Sequence, residues 1–147
     1  MIVCAGRECA SCSTACKRDE PCAAITGAFI DNGHCYWVDT AGDTWPNAKA
    51  KCESEGGYLA TISSMAEQTL LHGKVAANNA DAWIGGQEGG FNNTEIFWEA
   101  SSTNCSYSAG LGLNSNPDKC IRLSTSNTWR DSSCASVMDF ICERDWQ

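Results

Sequence analysis

Apolar and polar positions change period several times along this 147-residue chain. Phe29-Ile30-Asp31-Asn32-Gly33-His34-Cys35-Tyr36-Trp37-Val38 predicts two strands about an Asn-Gly turn. A helix follows. Asp43 or Thr44 can cap it, Pro46 sits in its first turn, and Trp45, Ala48 and Cys52 share one face. Gly56-Gly57 ends it, and Tyr58-Leu59-Ala60-Thr61-Ile62 is a short strand. Ser64-Met65-Ala66-Glu67 is a capping box opening a second helix, with Leu70, Leu71 and Val75 as its apolar positions. After Asn78-Asn79 the pattern turns to strands, Ala82 to Gly86 and Ile96 to Trp98. Residues 100–118, rich in Ser, Asn and Gly, read as one long loop, of a length that is usually functional or disordered. Closing strands are expected at Cys120 to Leu123, around Trp129 and from Val137 to Cys142. The class is α+β, without internal repeats: a Cys-rich leader over 1–21 with no strong periodicity, then one domain over 22–147.

Composition narrows the setting. Hydrophobic residues make up 43% and charged residues 19%, which fits a globular chain. No apolar run approaches the roughly 20 residues of a bilayer span, so no membrane insertion is expected. Eleven cysteines favour disulfides in an oxidising, extracellular compartment. Cys9-Ala10-Ser11-Cys12 has zinc-like spacing, but no second pair completes it. Cys4 follows Met1 almost at once, so the chain reads as a mature secreted form. An odd count leaves at least one thiol free or paired with another chain. The net charge of −8 argues against nucleic acid and anionic membranes as partners. No Ser, Cys or carboxylate stands in a nucleophile or acid/base context, so no enzyme is expected.

The ordered landmarks resemble the C-type lectin domain family. They are Gly33-His34-Cys35-Tyr36, Thr44-Trp45 with Ala48 and Cys52, Gly56 to Ile62, Glu67-Gln68, Trp83-Ile84-Gly85-Gly86, Trp98, Cys120, Trp129-Arg130-Asp131 with Cys134, and Phe140-Ile141-Cys142-Glu143. The resemblance implies three disulfides: Cys22–Cys35, Cys52–Cys142 and Cys120–Cys134. Cys4, Cys9, Cys12, Cys16 and Cys105 remain as candidates for an interchain bridge in a homo- or heterodimer.

The resemblance also locates a sugar site. Calcium-dependent members hold the ion with a proline motif, a further acidic residue, and the Asn and Asp of a Trp-Asn-Asp motif. Here Asn116-Pro117-Asp118 stands at the proline motif, only Lys119 separates it from Cys120, and Arg130 replaces the Asn. Asn116, Asp118 and Asp131 are too few for an ion that wants six to eight oxygens. The expectation is therefore calcium-free binding of N-acetylated hexoses, GlcNAc or GalNAc. Asp118 would accept from sugar hydroxyls or an acetamido N–H, Asn116, Lys119, Arg130 and Asp131 would add polar contacts, and Tyr107 would cover the acetamido methyl. Asn-Pro-Asp also makes a good turn without any ligand. Thr61, Glu67 and Glu143 correspond to a structural calcium position in some members. Without the ion, Glu67 is the capping-box partner and Glu143 a surface residue. Calcium-dependent sugar binding and protein- or ice-binding are the alternatives. Asn92-Asn93-Thr94 and Asn104-Cys105-Ser106 are glycosylation sequons, and His34 and His72 are expected to be structural.

Overall fold

The computed structural model describes residues 2–4, 7–9, 22–89, 95–100, 103–104 and 120–145. Near the N-terminus, β1 (Ile2–Cys4) and β2 (Arg7–Cys9) pair antiparallel, with Val3 opposite Glu8. The sequence signalled no element there, because two three-residue strands are too short to show a period.

The expected hairpin is β3 (Phe29–Asp31) and β4 (His34–Asp43), preceded by a short 3-10 turn over Cys22–Ala24. Asn32 and Gly33 take φ of 45° and 80°, the left-handed pair that a two-residue hairpin turn of this hand requires. β4 runs five residues past Val38, the end expected from its apolar pattern. The polar stretch is held by backbone pairing, Asp39 opposite Phe140 and Asp43 opposite Met138.

Helix α1 (Trp45–Ser54) buries Trp45, Ala48 and Cys52, the face read from the sequence. Thr44 is its N-cap residue but makes no side-chain cap; the Asp43 carboxylate instead accepts from Thr44 N at 2.8 Å and Asn47 Nδ2 at 3.0 Å. β5 (Tyr58–Leu59) follows, then α2 (Met65–Asn78). Ser64 Oγ accepts from Glu67 N at 3.1 Å, half of the expected capping box. The other half shifts by one residue: Glu67 Oε2 accepts from Ser63 N at 2.8 Å. Asn79 closes α2 in the left-handed region.

The remaining strands are β6 (Ala82–Gly89), β7 (Glu95–Trp98), β8 (Thr103–Asn104), β9 (Cys120–Leu123), β10 (Trp129–Ser132) and β11 (Met138–Asp145). The expected loop over 100–118 thus contains a short strand, β8, paired with β7; two residues carry no readable alternation. The sheet runs β10-β9-β6-β11-β4-β3, with β5 on β11 and β7 on β6. β11 and β6 are parallel and every other pair is antiparallel, which makes the sheet mixed. Gly85 lets β6 pass β5 closely, since a Cβ there would lie 2.5 Å from Leu59 O.

Two buried clusters sit on the sheet. One joins Leu71 and Val75 of α2 to Ile62, Ile84, Ile121, Trp129 and Ile141. The other gathers Trp37, Trp45, Trp83 and Phe140 with cysteines. The indole N–H groups of Trp45 and Trp83 donate to Ile84 O and Asp43 O, so these large rings are buried without stranding a donor. All three expected disulfides are present. Cys22–Cys35 closes the hairpin, Cys52–Cys142 ties α1 to β11 across 90 residues, and Cys120–Cys134 spans the β9–β10 hairpin.

Candidate functional site

Of the expected sugar-site residues, Arg130 and Asp131 are described; Asn116, Pro117, Asp118, Lys119 and Tyr107 lie outside the described residues. Arg130 and Asp131 sit on β10, an edge strand among the described residues. Successive strand residues leave opposite faces. Arg130 is exposed and stands across from Arg122 on β9, whereas the half-buried Asp131 shares the face of buried Ile121. A ligand lying across this edge could touch both; one lying on either face meets only one.

The edge is positioned from beneath. The Trp129 indole donates to Gln68 Oε1 at 2.8 Å, and Gln68 Nε2 donates to Asn127 Oδ1 at 2.8 Å. Gln68 is buried on α2, so one side chain fixes both the strand that carries Arg130 and the turn before it. Trp98 packs edge-on against Trp129 with centroids 5.3 Å apart. Arg122 pairs with Asp81 Oδ2 at 2.5 Å, and Asp81 Oδ1 accepts from Thr125 N. Gln68 entered the sequence reading only as a landmark. Its signal is a polar residue on the buried face of α2, one turn from Leu71 and two from Val75.

A second polar constellation lies at the opposite side of the sheet. Thr61, Glu67 and Glu143, the expected structural-calcium trio, surround the Tyr36 and Tyr58 hydroxyls. Glu143 Oε2 accepts from Thr61 N at 2.9 Å and Thr61 Oγ1 at 3.2 Å. Glu67 Oε1 accepts from Tyr36 OH at 2.7 Å. Glu143 is 1% exposed, not the surface residue expected in the absence of calcium. Burial, aided by the nearby Glu67 charge and opposed by the Thr61 amide, pushes its carboxyl up to about 7. Burial and the Glu143 charge also raise both phenols. The other Glu143 oxygen, Oε1, meets Tyr58 OH at 3.1 Å and His34 Nδ1 at 2.8 Å, and Asp145 Oδ1 lies 2.7 Å from Tyr58 OH and 3.2 Å from His34 Nδ1. His34 is thus part of a polar cluster that sequence spacing did not reveal. His72, half-buried on α2, contacts Thr125 O through Nε2 at 2.9 Å.

A shallow cavity of about 250 Å³ is lined by Lys49, Glu53, Tyr58 and Glu99; Lys49 is already paired with both acids. Cys12, Cys16 and Cys105 lie outside the described residues, as do the side chains of Cys4 and Cys9 and all of the Asn92 sequon. Asn104 of the second sequon is in β8, with its backbone opposite Phe97.

Comparison with known proteins converges on one family. The model described as "Lectin C-type domain" matches residues 41–144. "C-type lectin domain family 10 member A" of Mus musculus is 29% identical over 76% of this chain, but the chain spans only 38% of that protein's length. A "C-type lectin" of Micrurus corallinus is 33% identical, with 76% and 77% of the two chains covered. Among solved structures, a calcium-independent type II antifreeze protein matches with TM-score 0.72 and 25% identity over 82% of this chain and 93% of its own. The carbohydrate-recognition domain of cow CD23, solved in the presence of a GlcNAc2Man3 oligosaccharide, gives 0.73 and 24% over 84% and 96%.

Proposed function

The chain belongs to the C-type lectin domain family, and on that premise we propose that it is a secreted lectin binding glycans that carry N-acetylhexosamines, without calcium. Members of this family are generally binding proteins rather than enzymes. The observation that carries the calcium-free reading is Arg130. It places an exposed guanidinium on the edge strand beside Asp131, where calcium-dependent sugar sites of this fold use an oxygen donor. A guanidinium repels the ion and donates hydrogen bonds in a planar fork instead. In this reading Asn116, Asp118 and Lys119 add acceptors and donors for an acetamido group, and Tyr107 an apolar face for its methyl; the support is their type and their place in the sequence.

Such a shallow site binds in the millimolar range, about −4 kcal/mol, so avidity matters. Among the described residues three disulfides occupy six of the chain's eleven cysteines; in this reading one of the other five bridges two chains. Disulfide content supports an extracellular location, and no described helix is long and apolar enough to cross a membrane. A glycan array run with and without EDTA tests the function, with non-reducing and reducing gels for the bridge. GlcNAc- or GalNAc-terminated glycans should bind equally in both conditions. Loss of binding in EDTA, or better competition by mannose or galactose, overturns the reading.

The similarity to a calcium-independent antifreeze protein favours one other function, ice binding. Thermal hysteresis together with an empty glycan array would establish it in place of sugar recognition.

A further inference from the structure

The cluster at the start of β4 and the end of β11 has a composition that the sugar site does not use. The antiparallel register sets Asp145 directly opposite His34 and Glu143 opposite Tyr36. Glu143 and Asp145 are two residues apart, so both leave the same face of β11, and Tyr58 of β5 lies across from Glu143. The sheet therefore forces an imidazole, two carboxylates and a phenol into one spot. The ligand atoms of His34, Glu143 and Asp145 all lie within 4.8 Å of one another.

His34 Nδ1 is shielded from solvent and has no hydrogen bond of ordinary geometry, although two carboxylate oxygens stand 2.8 and 3.2 Å away. The oxygens flank the nitrogen rather than lying on its donor axis. Ligands sharing a tetrahedral ion at about 2.0–2.1 Å sit about 3.3 Å apart, close to the 2.8 and 3.2 Å that separate His34 Nδ1 from the two carboxylate oxygens. Tyr58 has one proton for two carboxylates and holds both in place. The centre carries two carboxylates, one almost fully buried, against a single imidazole.

We propose that His34 Nδ1, Glu143 Oε1 and Asp145 Oδ1 bind a divalent transition-metal ion of the zinc type, with water filling the remaining position. One imidazole nitrogen and two carboxylate oxygens are a donor set suited to zinc; calcium requires more ligands, all of them oxygen. The site differs from the Thr61, Glu67 and Glu143 position, which lies on the other oxygen of Glu143. Asp145 is 67% exposed and the His34 side chain 36%, so the ion can enter from solvent. Once bound, it clasps β4 to the end of β11.

The test uses the intact oxidised protein, stripped with chelator and titrated calorimetrically with ZnCl2, with CaCl2 in parallel. One zinc per chain should bind and raise the melting temperature, whereas calcium should not compete. Cobalt, used as a spectroscopic substitute, should give the visible bands of a four-coordinate site. H34Q and D145N should each weaken zinc binding about tenfold or more. Both positions are partly exposed, so the metal-free variants should melt close to the metal-free parent. Absence of stoichiometric zinc binding overturns the proposal. So does zinc binding that neither substitution weakens, which would place the ion elsewhere, for example on the remaining cysteines.

Discussion

The two flanks of the sheet carry polar residues in different ways. At β4, β5 and β11 the carboxylate of Glu143 is buried, and the register of three strands dictates its neighbours. At β9 and β10 the charged side chains of Arg122, Arg130 and Asp131 are exposed or half-buried, while Ile121, Leu123 and Trp129 of the same strands are buried. The first flank centres on a buried carboxylate whose contacts are set by strand pairing. The second sets exposed and half-buried charged residues on a buried apolar support. The proposed recognition edge is the second, where an exposed residue changes with little cost to folding.

The contrast can be broken first at the disulfides. Removing Cys52–Cys142 with the double variant C52A/C142A opens a 90-residue loop that joins α1 to β11. The expected loss is about 4–5 kcal/mol by chain entropy, enough to unfold the domain in moderate denaturant. Removing Cys120–Cys134, 14 residues apart, should cost about 3 kcal/mol and leave the β4–β11 flank protected from hydrogen exchange. Equal losses of protection on both flanks would show that they are one cooperative unit.

Gln68→Leu takes the acceptor from the buried Trp129 indole and the donor from Asn127. A loss of about 1–3 kcal/mol is expected in chemical denaturation, with weaker glycan binding because Arg130 follows Trp129 directly. Unchanged glycan binding would detach the edge from its support. R130A should shift stability by no more than about 0.5 kcal/mol while reducing glycan binding severalfold. A large stability loss with intact binding would reverse the roles assigned to the two flanks.

The smallest effect concerns Asp43, held down to about 2 by Lys51 first and then by the Asn47 and Thr44 bonds. A depressed carboxyl stabilises the fold above its ordinary pKa, and the contribution is lost as pH falls through the folded value. D43N should therefore melt lower than the parent at neutral pH, and the gap should close between about pH 4 and 2. A gap that persists at pH 2 would mean that packing, not charge, sets the effect.

Most of the frame was readable before any coordinates. The hairpin turn at Asn32-Gly33, the buried face Trp45, Ala48 and Cys52, and the Ser64 cap are local features, set by backbone sterics and helical period within a few residues. The order of landmarks carried the disulfide pairs. What escaped were features that arise when distant segments meet. The polar continuation of β4 is held by β11, about a hundred residues later. Glu143 reads as an ordinary acid until β4 and β5 close over it, and His34 becomes its neighbour only through an antiparallel register. Gln68 looks like any helix polar residue until Trp129 arrives from the far side of the sheet. Periodicity and caps are properties of one segment. Burial, and with it the chemistry of a carboxylate, belongs to the whole packed sheet.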